Sequence, residues 1–251
     1  MEFYVLASGS KGNATLVASH QHVILIDMGL TQKRFLEQLS KTPYRLEDIS
    51  AVLITHDHSD HTAGLRFLKD IPMFAGEGTY DMDESGYLEP YNHYDIAGFR
   101  VFTLPTSHDA ENPLGFVIED DEEKLVYMTD TGYVSENNLK HMQNADYYIF
   151  ESNHNVRMLL ATNRPYELKQ RILGDEGHLS NEDSAYYLTQ CIGDKTKEIV
   201  LAHLSQEANT EEKALEAYLR VFRKEKINPD RFQIRAASQY EILIGGDKIK
   251  L

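Results

Sequence analysis

Short apolar runs bounded by turn residues alternate with helical patterns along the chain. Runs of strand length occur at 3–7, 14–18, 23–27, 51–54, 99–104, 114–119, 124–129, 147–150 and 198–202. Helical spacing of apolar residues occurs at about 31–40, 183–192 and 211–223, and after His61 at Leu65 and Leu68. The strands and helices fall into two alternating blocks along the chain, and this order predicts two sheets packed face to face with helices outside. No repeat or linker-like stretch interrupts the pattern, so we predict one domain over residues 1–251.

The formal net charge of −15 restricts the functions that fit this chain. It argues against a large basic surface for non-specific nucleic-acid binding. No apolar run approaches the roughly 20 residues of a membrane span, and the N-terminus lacks the basic residues of a signal peptide. We therefore expect a cytoplasmic protein with no membrane partner. The single cysteine, Cys191, lies in an apolar pattern, so a metal site would have to be built from histidines and carboxylates.

Metal-binding residue types follow four of the predicted strands. The run 51–54 leads into the segment Thr-His-Asp-His-Ser-Asp-His at 55–61, and the later runs lead to His108, Asp130 and His203. A hydrolytic metal needs several protein ligands and an open position for water. Two adjacent metals need a second ligand set and a bridge, and a bridging hydroxide with a lowered pKa can act as nucleophile. The pattern therefore predicts a metal-dependent hydrolase.

This motif and its later partners resemble the metallo-β-lactamase superfamily over essentially the whole chain. The resemblance implies an α/β fold of the αββα sandwich type, with two mixed β-sheets face to face. It implies two divalent metal ions, Zn²⁺ or Mn²⁺. The implied ligands are His56, His58 and His108 for the first ion, Asp60, His61 and His203 for the second, and Asp130 as the bridge. Asp57 is not a ligand in this pattern and is expected to orient the loop.

A second segment bears on the kind of substrate. His178 stands just before a predicted helix start, between Gly177 and Ser180. Amides at a helix start together with an imidazole suit a phosphate oxygen or a leaving group. The local sequence equally allows a role for His178 in the helix cap alone.

The segment around His178 is similar to that of the RNase Z-type phosphodiesterases, and further segments resemble the bacterial WalJ/YycJ-type family. Those segments are 8–13, 55–61, 129–132, 151–154 and 171–182. Members of that family are regarded as DNA-processing exonucleases. The resemblance implies a phosphodiester substrate, DNA, with Asp60, Asp130 and His178 taking part in catalysis. The residues expected to contact the substrate are His154, Arg157, Arg171, His178 and Ser180.

Two alternatives from other classes stay open. A small-molecule metallohydrolase acting on a cyclic phosphodiester, thioester or lactone would fit the acidic charge. It would also fit the absence of space for the inserted domain with which longer nucleases grip nucleic acid. A binding protein that keeps the metals only for structure is the other alternative, and the complete set of ligand residues argues against it.

Overall fold

The structure is a computed structural model that describes residues 1–20 and 22–247. The strands are β1 Glu2–Ala7, β2 Ala14–Ser19, β3 His22–Ile26, β4 Ile49–Leu53, β5 Met73–Phe74, β6 His93–Ile96, β7 Phe99–Pro105, β8 Leu114–Glu119, β9 Lys124–Met128, β10 Tyr147–Glu151, β11 Glu198–Ala202, β12 Gln233–Ala236 and β13 Leu243–Gly246. The α-helices are α1 Gln32–Leu39, α2 Ser59–Thr62, α3 Glu136–His141, α4 Val156–Ala161, α5 Tyr166–Leu173, α6 Asn181–Thr189 and α7 Glu211–Lys224.

The chain divides into two compact units. The first unit contains Met1–Pro105, Ala110–Glu123 and the C-terminal residues from Ala237. The second unit contains Thr106–Asp109 and Lys124–Ala236. The single domain over residues 1–251 stays a prediction.

The first unit holds a six-stranded sheet in the order β13-β1-β2-β3-β4-β5. Strands β1, β2 and β3 pair antiparallel, whereas β3, β4 and β5 run parallel, because α1 carries the chain back between β3 and β4. Ile26 pairs with Leu53, so the chain leaves β3 and β4 at the same edge of the sheet. Strands β6, β7 and β8 form an antiparallel set in this unit.

The second unit holds four parallel strands, β9 to β12. Every residue of β10 and β11 is buried, which explains why these strands appear in the sequence as unbroken apolar runs. Met128 pairs with Phe150, and Glu151 pairs with Ala202. The residues that follow β9 and β11 therefore leave the sheet at neighbouring strand ends, beside the end of β10.

Two predicted helices have different bounds in the structure. The helix after His61 ends at Thr62, and Leu65 and Leu68 lie in a separate 3₁₀ helix, Leu65–Leu68, where both are buried. The helix expected at 183–192 begins at Asn181, because the Ser180 side chain accepts a hydrogen bond from the backbone N–H of Asp183 at 3.1 Å.

Several short elements were not predicted from the pattern: β5, β6, β12 and β13, and helices α3, α4 and α5. Each has at most eight residues, which is too short for a periodicity to stand out. Among the described helices, none has the length and apolar character needed to cross a bilayer. Cys191 is buried, in agreement with the apolar pattern around it in the sequence.

Candidate metal centre

The Thr55–His61 segment forms a tight turn in the first unit. It follows β4, and α2 begins at Ser59 with His58 as its N-cap residue. This short helix turns the chain back, so that the ring centroid of His61 lies 4.1 Å from that of His56. The ring centroid of His58 lies 4.7 Å from that of His56. Three imidazoles are thus collected at the end of one strand.

Asp27 anchors this turn from the end of the neighbouring strand β3. Its fully buried carboxylate accepts hydrogen bonds from the backbone N–H of Thr55 at 2.8 Å and from the Thr55 hydroxyl at 2.9 Å. The same carboxylate lies 2.7 Å from Nδ1 of His61. This contact places the proton on Nδ1 and leaves Nε2 as the lone-pair atom. Sequence reasoning missed Asp27, although it follows an apolar run in the same way as Asp130.

The loop 8–13 closes over the turn through Asn13. The backbone N–H of Asn13 donates to the carbonyl oxygen of Asp60 at 2.8 Å, and its side-chain amide lies 3.0 Å from Nε2 of His61. A Cβ atom on Gly29 would lie 1.7 Å from the same Asp60 oxygen, so only glycine permits this approach. A metal on Nε2 of His61 would replace the contact with Asn13.

A second group of ligand types lies in the second unit. One ligand atom from each of Asp130, Glu151, His178 and His203 lies within 4.8 Å of the others. Asp130, Glu151 and His203 are buried, and His178 is partly exposed. Asp130 Oδ1 lies 3.1 Å from Nδ1 of His203 and 3.5 Å from Nδ1 of His178. The ends of three parallel strands and the start of α6 supply this group.

Glu151 is the centre of this second group. Its Oε2 accepts hydrogen bonds from the backbone N–H groups of Thr131 and Leu179, both at 3.1 Å. Its Oε1 lies 2.8 Å from Nδ1 of His178 and 3.1 Å from Nδ1 of His203. Burial alone would raise the pKa of Glu151, but the charge of His178 and the hydrogen bonds from both imidazoles lower it to about 2. The carboxylate is therefore ionised and holds both rings by Nδ1, so that the Nε2 atom of each ring points away from Glu151.

His108 lies beside this group and Asp60 lies beside the first. Nδ1 of His108 is 3.1 Å from the carbonyl oxygen of Gly177, and its Nε2 is 3.8 Å from Oδ1 of Asp130. Burial lowers the pKa of His108, so its neutral, ligating form is favoured. In the first unit, Oδ2 of Asp60 is 3.6 Å from Nε2 of His61.

The residues predicted to contact substrate lie in different settings. Ser180 caps α6, and its hydroxyl is also 2.6 Å from Oδ2 of Asp183. Arg171 forms an ion pair with Asp109, the residue after His108, while Arg157 is exposed on α4. The substrate roles of all of these residues, and of His154 and His178, stay predictions.

His154 is an almost completely buried histidine in the second unit. Its backbone pairs with Ser180, and neither ring nitrogen has a hydrogen-bond partner among the described residues. Burial lowers the pKa of His154 to about 4, so the folded protein holds a neutral imidazole.

The low pKa of His154 predicts a pH-dependent stability. Between pH 6.5 and 4 the unfolded chain binds a proton that the folded chain does not, so acid favours unfolding. The free energy of unfolding is therefore unaffected by this group above pH 6.5, and it falls by up to about 3 kcal/mol as the pH drops to 4. Urea titrations of wild type and His154→Leu across this range test it, and the variant should lose less stability. Equal pH dependence in both proteins would contradict the prediction.

The donor atoms in both units suit divalent ions. Imidazole nitrogens and carboxylate oxygens are ligands that Zn²⁺ and Mn²⁺ accept, and these carboxylates are buried beside imidazoles. A cation would offset the cost of burying Asp130 and Glu151. The residue types therefore fit the metals that the sequence predicts, while the number and identity of the ions stay predictions.

Comparison with known proteins decides the family. A family model described as beta-lactamase superfamily domain matches residues 22–204. The chain belongs to the β-lactamase superfamily. Among its superfamily relatives, Exodeoxyribonuclease YycJ of Bacillus anthracis is 36% identical over 232 residues, covering 85% of this chain and 86% of that protein. Exodeoxyribonuclease WalJ of Streptococcus pneumoniae serotype 2 (strain D39 / NCTC 7466) is 37% identical over 233 residues, covering 85% of each chain.

A solved structure with a similar fold supports the fold class. The metallo-β-lactamase fold protein YhfI from Bacillus subtilis aligns with a TM-score of 0.73 at 16% identity, covering 97% of this chain and 99% of that one. The predicted fold class, two mixed β-sheets with helices, is confirmed. The predicted resemblance to the WalJ/YycJ-type family and the prediction of a hydrolase are confirmed as well.

Proposed function

We propose that the chain is a two-metal phosphodiesterase that acts as an exonuclease on DNA in the cytoplasm. The observation that carries this proposal is the pair formed by His178 and Glu151, joined at 2.8 Å beside the buried Asp130. An imidazole held by an ionised carboxylate is suited to transfer a proton to a leaving oxygen. The names of the two relatives, both exodeoxyribonucleases, support DNA as the substrate.

Two divalent ions, Zn²⁺ or Mn²⁺, complete the proposed site. His56, His58 and His108 would hold one ion, Asp60, His61 and His203 the other, and Asp130 would bridge them. When bound, such ions lower the pKa of a shared water and stabilise charge on the phosphoryl oxygens. Asp27 and Glu151 serve this arrangement because each holds Nδ1 of a ligand histidine and so directs its Nε2.

His178 supplies the proposed proton transfer. Because Glu151 holds Nδ1, Nε2 is the atom that can reach a substrate oxygen, and the side chain is 20% exposed. Protonated on Nε2, His178 would donate to the departing alkoxide, and the buried carboxylate would stabilise the imidazolium. The backbone N–H groups of Thr131 and Leu179 keep that carboxylate in place.

The acidic charge favours one competing function. A net charge of −15 leaves few cations for a long polyanion, which would suit a small phosphodiester, thioester or lactone. The two functions differ in the substrates that they predict.

A substrate panel tests the proposal directly. We expect metal-reconstituted protein to cleave end-labelled DNA and bis-p-nitrophenyl phosphate, because both contain the phosphodiester that the site is proposed to attack. Chelation should abolish both activities, and added Zn²⁺ or Mn²⁺ should restore them. A thioester and a lactone serve as controls. Rapid turnover of either control with every phosphodiester inert would make the phosphodiesterase proposal wrong.

A further inference from the structure

Two cationic side chains contact Tyr240 in the first unit. Nζ of Lys11 lies 3.1 Å from the hydroxyl of Tyr240 and 5.9 Å from its ring centroid, so the amine sits at the hydroxyl end of the ring. The guanidinium carbon of Arg34 lies 5.1 Å from the same centroid. Tyr240 remains 55% exposed, and Lys11 is exposed as well. We call Lys11, Arg34 and Tyr240 the Tyr240 cluster.

The backbone around the cluster is held by Gln239. Its buried side chain accepts from the backbone N–H of Lys11 at 2.8 Å and donates to the carbonyl oxygen of Gly12 at 2.9 Å. Its own carbonyl oxygen accepts from the guanidinium of Arg34. The backbone of the Lys11 loop, the helix α1 and the segment before Tyr240 are thereby tied together.

The same loop reaches the candidate metal centre. Asn13, two residues after Lys11, contacts both the carbonyl oxygen of Asp60 and the ring of His61. Gly12 packs so tightly that a Cβ atom there would lie 2.6 Å from the carbonyl oxygen of Gly29. The loop is therefore a fixed connection between the cluster and the metal-binding turn.

The cluster combines the chemistry that single-stranded nucleic acid requires. An exposed aromatic ring can stack on a base, and a lysine and an arginine beside it can contact the adjoining phosphates. Such a local cation pair stands out in a chain with a net charge of −15. Glu37 on α1 and Glu241 beside Tyr240 are the nearest acids in sequence, and Lys33 and Lys41 are two further cations close in sequence to Arg34.

We propose that the Tyr240 cluster is a binding subsite for a single-stranded DNA segment that leads to the metal-binding turn. Tyr240 stacks on a base, while Lys11 and Arg34 contact phosphates. The place of this subsite in catalysis rests on the proposed nuclease function, whereas strand binding itself does not.

Binding of a fluorescein-labelled, phosphorothioate single strand to metal-reconstituted protein tests the subsite by anisotropy. We expect Tyr240→Ala to weaken binding roughly 5- to 150-fold, the range for loss of one stacked base, and Tyr240→Phe to keep most of the affinity. Lys11→Gln should reduce the slope of log K against log salt by about 0.7, the value for one phosphate contact to a single strand.

Lys33→Gln is the matched control. Lys33 precedes Arg34 in α1 and is exposed, but neither contact with the Tyr240 ring involves it. The same charge change there should leave the slope as in wild type. An equal change in slope for both lysine variants would indicate that the strand is attracted by overall charge and not by a defined subsite. That result would overturn the proposal. Unchanged affinity in Tyr240→Ala, or no strand binding by wild type, would overturn it too.

Hydrolysis of bis-p-nitrophenyl phosphate separates the two proposals. This substrate has no neighbouring nucleotide, so all four variants should turn it over at close to the wild-type rate. If wild type cleaves it while Tyr240→Ala still binds the strand normally, the subsite fails and the proposed function stands. If wild type cleaves no phosphodiester but the binding differences appear, the subsite stands and the proposed function fails.

Discussion

Replacing His178 with alanine is expected to slow DNA cleavage by roughly 10²–10⁴-fold, the usual contribution of a general acid. The leaving alkoxide of DNA is strongly basic and needs the proton that His178 supplies. The loss should be smaller for bis-p-nitrophenyl phosphate, because p-nitrophenolate leaves without a proton. Single-turnover rates on the two substrates measure the difference.

Metal content and a second histidine variant control this experiment. The His178→Ala protein should bind as much metal as wild type by elemental analysis, since His178 is outside the proposed ligand set. His141→Ala, on the exposed end of α3, should keep full activity on both substrates. An equal loss on both substrates would indicate that His178 binds phosphate instead. No loss on either would leave it as part of the α6 start.

Changing Glu151 to glutamine is expected to reduce DNA cleavage by a similar factor, roughly 10²–10⁴-fold, because the proton donor loses its orientation. The two oxygens of Glu151 accept from two backbone N–H groups and two imidazoles. An amide has one oxygen, so its NH₂ group must face two of these donors. The free energy of unfolding should fall by about 3–5 kcal/mol, as for other broken buried charge contacts.

Rates and urea denaturation of the same preparation measure both effects. Glu167→Gln on the exposed surface of α5 makes the same chemical change without buried donors, so it should alter neither. A Glu151→Gln protein that keeps wild-type activity would contradict the proposed role of this carboxylate in orienting His178. A Glu151→Gln protein as stable as wild type would contradict the stabilising role of the buried hydrogen bonds to this carboxylate.

The longer strands could be predicted from the sequence because they depend on local patterns, and the same patterns supply the ligand set, which stays a prediction. Unbroken apolar runs are required of buried parallel strands, and histidine clustering as dense as that at 55–61 is rarely accidental. Local patterns place Asp27 and Glu151 at strand ends, but they do not show which histidines these carboxylates hold. Asp27 lies 34 residues before its partner His61, and Glu151 lies 27 before His178. Only the parallel pairing of β3 with β4, and of β9, β10 and β11, brings such residues together.

Local sequence patterns also do not show which side chains pair with each other in the fold. Arg171 is expected to contact substrate, and its guanidinium pairs with Asp109, which lies 62 positions earlier in the sequence. Ser180 was predicted to contact substrate and is engaged as the α6 cap. In the same way, Lys11 and Tyr240 are 229 positions apart, and the closure of β13 onto β1 is what brings the C-terminal segment back to the first loop.

Three residues of the candidate metal centre that lie just after strands have a left-handed backbone: Asp27 at φ 59°, Asp130 at φ 55° and His203 at φ 55°. Glycine adopts this conformation readily, and asparagine, aspartate and histidine are enriched in it among the other residues. Of these four, only aspartate and histidine combine that backbone with a strong metal-binding or proton-accepting side chain. The left-handed backbone and the side-chain chemistry each limit which residue types these three positions accept. We therefore expect fewer tolerated substitutions there than at other buried positions. In directed evolution toward new substrates, useful variation has to come from the loops around these three positions.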